Sequence, residues 1–319
     1  MITVLIPDNV DQKAIDLLGK YDGLEVHAPG KLSQDDLVAQ VGFANALIIR
    51  SGVKITPEVF EAAPNLKAIA RAGVGVDNID LEAATKHGVV VMNTPGGNTI
   101  STAEHTFGLM LALARHLPQG NSSLNEGRWD RKKYVGVELK GKTLGLLGFG
   151  RIGQAVATRA KAFEMDVIAY DPFLKDDIFA ELGVERVDTD TLYARADFIT
   201  LHAPATEDTN GMINSDSIAK MKDGVRIVNA ARGILINDVD LASALASGKV
   251  AGVALDVYVV EPPPADHPLL NFDNVIDTPH LAASTSDAQV TVAVEAAQLI
   301  VDALLNQTYA NGVNKDVLA

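Results

Sequence analysis

Short apolar runs recur along the chain, separated by stretches whose apolar residues repeat at helical spacing. In the first hundred residues, runs at 3–6, 24–27, 46–49, 67–70 and 89–92 predict strands. The intervening segments 11–19, 33–41 and 57–62 predict helices, with Ser33 as an N-cap ahead of Asp35 and Asp36. Strands alternating with helices form a parallel sheet covered on both faces. This region therefore reads as a small α/β unit of its own. Pro95, Gly96 and Gly97 break the pattern and mark a candidate linker. A helix is predicted over 101–115, capped by Ser101 or Thr102 with Glu104 in its first turn. Its Phe107, Leu109, Met110, Leu111 and Leu113 cover much of the circumference, which predicts burial on most sides. The stretch 121–136 reads as a polar, basic loop holding Arg128, Arg131, Lys132, Lys133 and the only tryptophan, Trp129.

From residue 143 the alternation resumes. Strands are predicted at 143–147, 167–170, 198–201, 226–229, 253–256 and 275–278, with a shorter one near Arg186 and Val187. Six or seven parallel strands make a doubly wound sheet, and such sheets hold ligands at the carboxyl ends of their strands. His202, Asn229 to Arg232, Asp256 and His280 fall at those ends. A long helix is predicted over about 285–305, and the tail at 312–319 carries no pattern of its own.

The first strand, helix and strand of this second region carry the clearest chemistry. Gly148, Gly150 and Gly153 fit G-x-G-x-x-G between an apolar strand and a helix, and Asp171 ends the following strand. The first glycine permits a tight turn, the second lets backbone approach a pyrophosphate, and the third lets helix and strand pack closely. Amides at the helix start face the phosphates, helped by the helix dipole. Asp171 is placed to accept hydrogen bonds from ribose hydroxyls. A 2′-phosphate there would meet a carboxylate, and Pro172 and Phe173 offer no compensating charge, so the expected cofactor is NAD rather than NADP. A ligand-free tight turn would need the same glycines but not the acid.

Composition narrows the setting. At 319 residues and 47% hydrophobic the chain has length for about two domains, each with a sizeable core. No apolar run is expected to approach the length of a membrane helix, and the start MITVLIPDNV reads as a first strand rather than a secretory leader. Without cysteine there is no disulfide framework, no thiolate chemistry and no cysteine zinc site. No metal is expected, and cytoplasmic residence is the simple inference. A net charge of −14 argues against nucleic acid or an anionic membrane as partner. It also means that an anionic substrate would need local arginines against a repulsive field.

Three ionisable residues follow three late strands: Arg232, Glu261 and His280. Hydride transfer to NAD needs a group that exchanges a hydroxyl proton, for which histidine is suited. It also needs a cation that grips a carboxylate and polarises a carbonyl, as the fork of arginine does. A carboxylate beside the histidine would fix its tautomer. Singly, each residue has an ordinary explanation: a salt-bridged loop arginine, a solvated glutamate beside Pro262, a capped-turn histidine. Spacing alone does not decide among these.

The blocks NAARG at 229–233, LDVYVVEP at 255–262 and PHLAAST at 279–285, together with GFGRIG at 148–153, resemble the signature blocks of the D-isomer-specific 2-hydroxyacid dehydrogenases in order and spacing. RSGVKIT at 50–56, RAGVGVDNID at 71–80, NTPGGNTISTAEHTFGLMLALAR at 93–115 and RWDRKKYVGVELKGKTLG at 128–145 extend the resemblance over essentially the whole chain. The resemblance implies two doubly wound parallel-sheet α/β domains. A Rossmann NAD-binding domain, 98–281, is inserted into a smaller flavodoxin-like substrate domain made of 1–97 and 282–319, with the active site in the cleft.

Carried over residue by residue, the resemblance makes Arg232 the substrate arginine, His280 the general acid/base and Glu261 its partner. NAD would be held by Gly148, Gly150, Arg151, Ile152, Gly153, Asp171, His202, Ala203, Ala230, Ala231, Asp256, Ala282 and Ala283, with Asp171 on the ribose and Asp256 on the nicotinamide carboxamide. The substrate, a small anionic 2-hydroxy or 2-keto acid, would meet Arg50, Ser51, Arg71, Val74 and Gly75. Arg50 and Arg71 match positions that line a phosphate end in family members acting on phosphorylated acids. Family members dimerise through their nucleotide domains, so a homodimer, or a tetramer, is implied, and the basic loop at 128–133 would add charge from a neighbouring subunit. Alternatives within the same fold are a reductase of unphosphorylated keto acids, with Arg50 and Arg71 only structural, and a non-catalytic NAD-sensing corepressor. Ile234 and Ala282 stand where glycine is usual in the family, which bears on the pocket's size. The chain ends soon after the last helix, so feedback control through an appended regulatory domain is not expected. His105 reads as structural, and His27, His87, His116 and His267 as ordinary surface or loop residues.

Overall fold

A computed structural model describes residues 1–270 and 272–318. The chain divides into two compact units, Met1–Asn98 with Ser284–Ala319, and Thr99–Ala283. The first unit opens β1 (Ile2–Leu5), α1 (Gln12–Leu18), β2 (Leu24–His27), α2 (Gln34–Gln40), β3 (Ala46–Ile49), α3 (Pro57–Ala62), β4 (Ala68–Arg71), α4 (Leu81–Lys86) and β5 (Val90–Asn93). Its five strands are parallel in the order β2-β1-β3-β4-β5. Side chains of a strand alternate between faces, and here both faces are covered. Leu5, Leu47, Ile49 and Ile69 enter one core, and Val4, Ile48, Ala68 and Ala70 the other. That is why these strands read as unbroken apolar runs.

The second unit contains α5 (Thr99–Arg115), α6 (Leu117–Asn125), β6 (Thr143–Leu147), α7 (Arg151–Ala162), β7 (Asp166–Tyr170), α8 (Asp176–Glu181), β8 (Glu185–Arg186) and α9 (Thr189–Arg195). It continues with β9 (Phe198–Leu201), α10 (Ser215–Lys220), β10 (Val225–Asn229), α11 (Asp238–Ser247), β11 (Val250–Leu255) and β12 (Val275–Asp277). Seven parallel strands lie in the order β12-β11-β10-β9-β6-β7-β8. Phe107, Met110 and Leu113 of α5 and Val156 and Ala160 of α7 pack on one face of this sheet. Leu192 of α9, Ile218 of α10 and Leu241 of α11 pack on the other.

The chain then returns to the first unit as α12 (Ser286–Asn306), N-capped by the Thr285 hydroxyl, which accepts from the Ala288 amide. Ala293, Ala296 and Ala297 of this helix meet Ala46, Ala68 and Ala70 of the sheet. Small residues on both partners let helix and strands approach closely, where larger side chains would overpack. Past α12, Gly312 bridges antiparallel to Met92, and the Asn314 side chain accepts from the Val91 amide and donates to the Val89 carbonyl. The tail thus covers the open edge of β5, a role no pattern in it announced.

Three expectations need correction. Helix α5 begins at Thr99 because the turn at 95–98 already starts it, so Ser101 and Thr102 are buried interior residues rather than caps. Residues 117–125, half read as loop, form α6: Pro118 occupies its first turn, and left-handed His116 (φ 53°) separates it from α5. Its polar, glycine-containing sequence has weak helix propensity. Finally, α12 is long and apolar enough to cross a membrane, with a mean hydropathy of 1.5 over an 18-residue window. Valines, leucines and an isoleucine raise that average, but Gln289, Glu295, Gln298 and Asp302 break them up, and half of the window is buried inside the protein.

Candidate active site

In the second unit the glycine turn follows β6, and its three glycines do different work. Gly148 has φ 95°, and a Cβ there would sit 2.6 Å from the His202 carbonyl carbon. A Cβ on Gly153 would sit 2.5 Å from the Gly148 carbonyl oxygen, so α7 packs against the turn only with glycine. A Cβ on Gly150 would meet nothing within 4 Å. Protein packing does not demand that glycine; space beside it does. No side chain caps α7 at Gly150, so amides at the start of this helix have no capping side chain and suit an anion. These observations fit a dinucleotide: Gly150, Arg151, Ile152 and Gly153 would hold its pyrophosphate.

Asp171 is buried at the end of β7. Its Oδ2 accepts from the Phe149 amide at 2.9 Å, and its Oδ1 from Phe173 at 2.9 Å and Leu174 at 3.2 Å. The acid expected at the ribose therefore also braces the glycine turn. Arg186 donates to the Asp171 carbonyl oxygen at 3.1 Å and pairs with Asp176 at 2.6 Å. Sequence reading missed this cation beside Asp171 because β8 brings it in from fifteen residues away. At the neighbouring strand end, the His202 amide donates to the Leu147 carbonyl and its Nε2 lies 3.1 Å from the Thr200 hydroxyl. Burial pushes the His202 imidazole down to about 4, so the ring is neutral at pH 7. Ala203 follows it, half-buried.

At the end of β10, buried Asn229 staples the next turn. Its Oδ1 accepts from the Ala231 amide at 3.0 Å, and its Nδ2 donates to the Arg232 carbonyl at 2.8 Å. Ala230 is buried, and the Arg232 guanidinium donates to the Ala231 carbonyl at 2.6 Å. Gly233 packs directly against Tyr258 and Val259 backbone. Glu261 closes that neighbouring loop, its Oε1 accepting from the Tyr258 amide at 3.1 Å. The other oxygen, Oε2, lies 2.7 Å from His280 Nδ1, with both side chains partly exposed. The spacing places a hydrogen bond from Nδ1–H to the carboxylate, leaving Nε2 as the working nitrogen.

His280 sits in a left-handed turn (φ 53°) that an L-residue adopts only at a cost. Asp256, fully buried at the end of β11, secures it. The His280 amide donates to the Asp256 carbonyl, and the Leu281 and Ala282 amides donate to its two carboxylate oxygens, each at 2.8 Å. Thr278 Oγ1 donates to Oδ1 at 2.5 Å, and His105 Nε2 lies 3.2 Å from the same oxygen. Burial alone would raise the Asp256 pKa; these bonds outweigh it and hold the carboxyl below its ordinary range. His105, read from sequence as structural, is thus tied to the turn that bears His280. Ala282 is buried and Ala283 half-buried beside it.

The residues expected to meet the substrate lie in the first unit, at the carboxyl ends of its strands. Arg50 and Ser51 follow β3, and Arg71 ends β4. Arg71 folds back over Gly73: a Cβ at Gly73 would sit 2.6 Å from the guanidinium carbon, and Nη1 donates to the Ala72 carbonyl at 3.3 Å. The loop carrying Val74 and Gly75 hangs from the end of β5, where Asn93 donates to the Val74 carbonyl and Thr94 Oγ1 accepts from the Gly73 amide. In the basic stretch of the second unit, Arg128 is met by Glu126 and Asp130, and Lys133 approaches Asp273 at 3.7 Å. Much of that charge is answered locally.

Residues 107–282, more than half of the chain, match the model for the D-isomer specific 2-hydroxyacid dehydrogenase, NAD binding domain. The chain belongs to this family, and its cofactor is NAD. Among its relatives, the D-3-phosphoglycerate dehydrogenase of Archaeoglobus fulgidus is 51% identical over 311 residues, covering 98% of this chain and 59% of that protein. The chain thus spans about three fifths of the length of the curated relatives it matches. Among solved structures, a Thermus thermophilus protein superposes with a TM-score of 0.89 at 36% identity, covering 98% of this chain and all of that one. A glyoxylate reductase of Paecilomyes thermophila gives the same TM-score at 29% identity, with 98% of each chain covered.

Proposed function

We propose that this chain catalyses, in the cytoplasm, the reversible NAD-linked oxidation of D-3-phosphoglycerate to 3-phosphohydroxypyruvate, a reaction of serine biosynthesis. The observation that carries the chemistry is the 2.7 Å pairing of His280 Nδ1 with Glu261 Oε2, beside the stapled turn that presents Arg232. Bound NAD supplies the hydride acceptor. At the substrate, His280 Nε2 takes the C2 hydroxyl proton, and the imidazolium that forms shares its charge with Glu261. In the reverse direction the same nitrogen returns the proton to the carbonyl oxygen. Arg232 grips the substrate carboxylate and polarises C2–O. Asp256 would meet the nicotinamide carboxamide with what acceptor capacity its loop leaves, and Ala230, Ala231, Ala282 and Ala283 would line that end.

The phosphorylated substrate is supported by the 51% identity to the archaeal enzyme. Arg50 and Arg71, with Ser51 and the Val74–Gly75 backbone, would answer its charge, making the first unit the substrate domain. We also place a second copy of the chain against the second unit. Supporting this, Ile100, Leu117, Leu124, Trp129 and Val135 are all exposed within one short stretch of it. The likeness to a glyoxylate reductase favours one competing reading, reduction of an unphosphorylated keto acid. Steady-state kcat/KM with NADH on 3-phosphohydroxypyruvate, hydroxypyruvate and glyoxylate separates the two. The phosphorylated acid should be preferred by at least tenfold, and preference for either of the others would sink the proposal.

A further inference from the structure

The sheet order of the first unit, β2-β1-β3-β4-β5, reverses direction between β1 and β3. In open parallel sheets, ligands bind outside the carboxyl ends of the strands at such a reversal. Two chain segments leave the sheet there: Asp8, three residues beyond β1, and the turn Arg50-Ser51-Gly52-Val53 directly beyond β3. Asp8 is 5% exposed, and its carboxylate has backbone amides as its hydrogen-bond partners. Oδ2 accepts from Arg50 at 3.0 Å and from Gly52 at 2.9 Å, and Oδ1 from Asn9 at 2.8 Å. From the other side, Nδ2 of Asn78 donates to the carbonyls of Arg50 and Val53, each at 2.8 Å. A Cβ at Gly52 would overlap the Asp8 carboxylate, 3.0 Å from its Cγ, so the turn closes on the acid only with glycine. The Arg50 guanidinium lies back along the same segment, donating to the Asn9 carbonyl at 3.3 Å. Ser51 is left exposed at the tip.

We propose that Asp8 and Asn78 are positioning residues for substrate recognition: they clamp the 50–53 turn so that Arg50 and Ser51 are presented to the anionic end of the substrate remote from C2. This rests on the assignment of Arg50 and Ser51 to the substrate and deepens it. A buried carboxylate is costly unless satisfied, and a turn could be closed without one. Here the carboxylate spends its capacity organising two alternate amides on either side of Ser51, which orients that residue outward. The clamp is preorganisation: the turn is ordered before the anion arrives, so less binding free energy is lost in ordering it. Because the anionic end is remote from the reacting carbon, loosening the turn weakens recognition while leaving the proton transfer at His280 as it was.

The test uses the full chain and the variants Asp8→Ala, Asp8→Asn and Asn78→Ala, with kcat and KM for 3-phosphohydroxypyruvate and for hydroxypyruvate, and NADH affinity by fluorescence. Expected are a rise of roughly 10- to 100-fold in KM for the phosphorylated acid, a much smaller rise for hydroxypyruvate, and kcat and NADH affinity within about threefold of wild type. Asp8→Asn, which keeps one acceptor, should fall between Asp8→Ala and wild type, a graded rescue that a general loss of folding would not give. If Asp8→Ala is poorly folded, Asn78→Ala reads the other jaw of the same clamp. Unchanged KM in Asn78→Ala and Asp8→Asn, or a fall in kcat equal for both acids, would overturn the proposal. The substrate reading is judged separately, on the wild-type preference alone. Should wild type favour an unphosphorylated acid, a KM rise in the same variants that is larger for the phosphorylated acid than for the unphosphorylated one still supports the clamp, and equal rises overturn it.

Discussion

Replacing Gly233 by alanine would push apart the two loops that carry the proposed substrate cation and the histidine's partner. A Cβ at Gly233 would lie 2.5 Å from the Tyr258 carbonyl oxygen and nearer still to the Tyr258 carbonyl carbon and the Val259 nitrogen. A carbon needs roughly 3.5 Å from such atoms, so the backbones must part by about 1 Å. No flexible side chain is available to give way, because every atom met is main chain. The same backbone carries the Tyr258 amide that holds Glu261, while Arg232 precedes Gly233 directly. Misplacing reacting groups by about 1 Å costs on the order of a hundredfold in rate, and overpacking costs about 1–3 kcal/mol of stability. Gly233→Ala should therefore lose about a hundredfold in kcat/KM for the preferred keto acid, with a melting temperature lowered by several degrees. NADH fluorescence should show cofactor binding largely retained, since the glycine turn at 148–153 and Asp171 are untouched. A variant with kcat/KM within threefold of wild type would refute the claim that close packing of these loops sets the catalytic geometry.

His280→Ala should lower kcat by roughly two to four orders of magnitude while NADH still binds, and Glu261→Gln by roughly tenfold; near-normal turnover in the first would remove His280 from the mechanism. Asp171→Ala should weaken NADH binding by about 10- to 100-fold and narrow the preference over NADPH; an unchanged cofactor ratio would mean the ribose is recognised elsewhere. The His202 imidazole, pushed down by burial from 6.5 to about 4, makes the fold acid-sensitive in a defined window. The unfolded chain takes the proton first, so the stability it contributes is complete above pH 6.5 and is lost as pH falls through 4, by at most about 3 kcal/mol. The residue keeps part of its surface exposed, which reduces that figure. His202→Asn should flatten the fall in urea midpoint between pH 7 and pH 5, and an identical pH dependence in the variant would exclude the residue as its source.

What could be read in the sequence was what local geometry forces. Gly148 and Gly153 are glycines because any side chain would strike backbone, so the motif is visible at fixed spacing. The core strands were placed within a few residues because burial on both faces leaves unbroken apolar runs. Helices α4 and α6 escaped, since short, weakly apolar segments are decided by packing rather than propensity. The residues that support the site also escaped, for a different reason. Asp8 reaches Arg50 across 42 positions and His105 reaches Asp256 across 151. Neither pairing leaves any periodic trace, and an aspartate near an amino terminus or a histidine in a helix has many ordinary uses. The His280–Glu261 pair stood between these extremes: both residues lay at strand ends, but nothing in their spacing put Nδ1 and Oε2 within bonding distance.

The return of α12 to the first unit has a consequence for how the chain is made. Val4, Ile48, Ala68 and Ala70 belong to a sheet face covered by α1, through Ala14 and Leu18, and by α12, which begins only at Ser286, after the whole of the second unit. During synthesis that face waits only partly covered, while Thr99–Ala283 acquires both of its own covering layers from residues already emerged. The unit encoded first is thus the one finished last, and the nucleotide-binding unit is complete before its neighbour has a closed core. Control over when the first unit becomes fully formed accordingly lies in α12 and the segment that follows it.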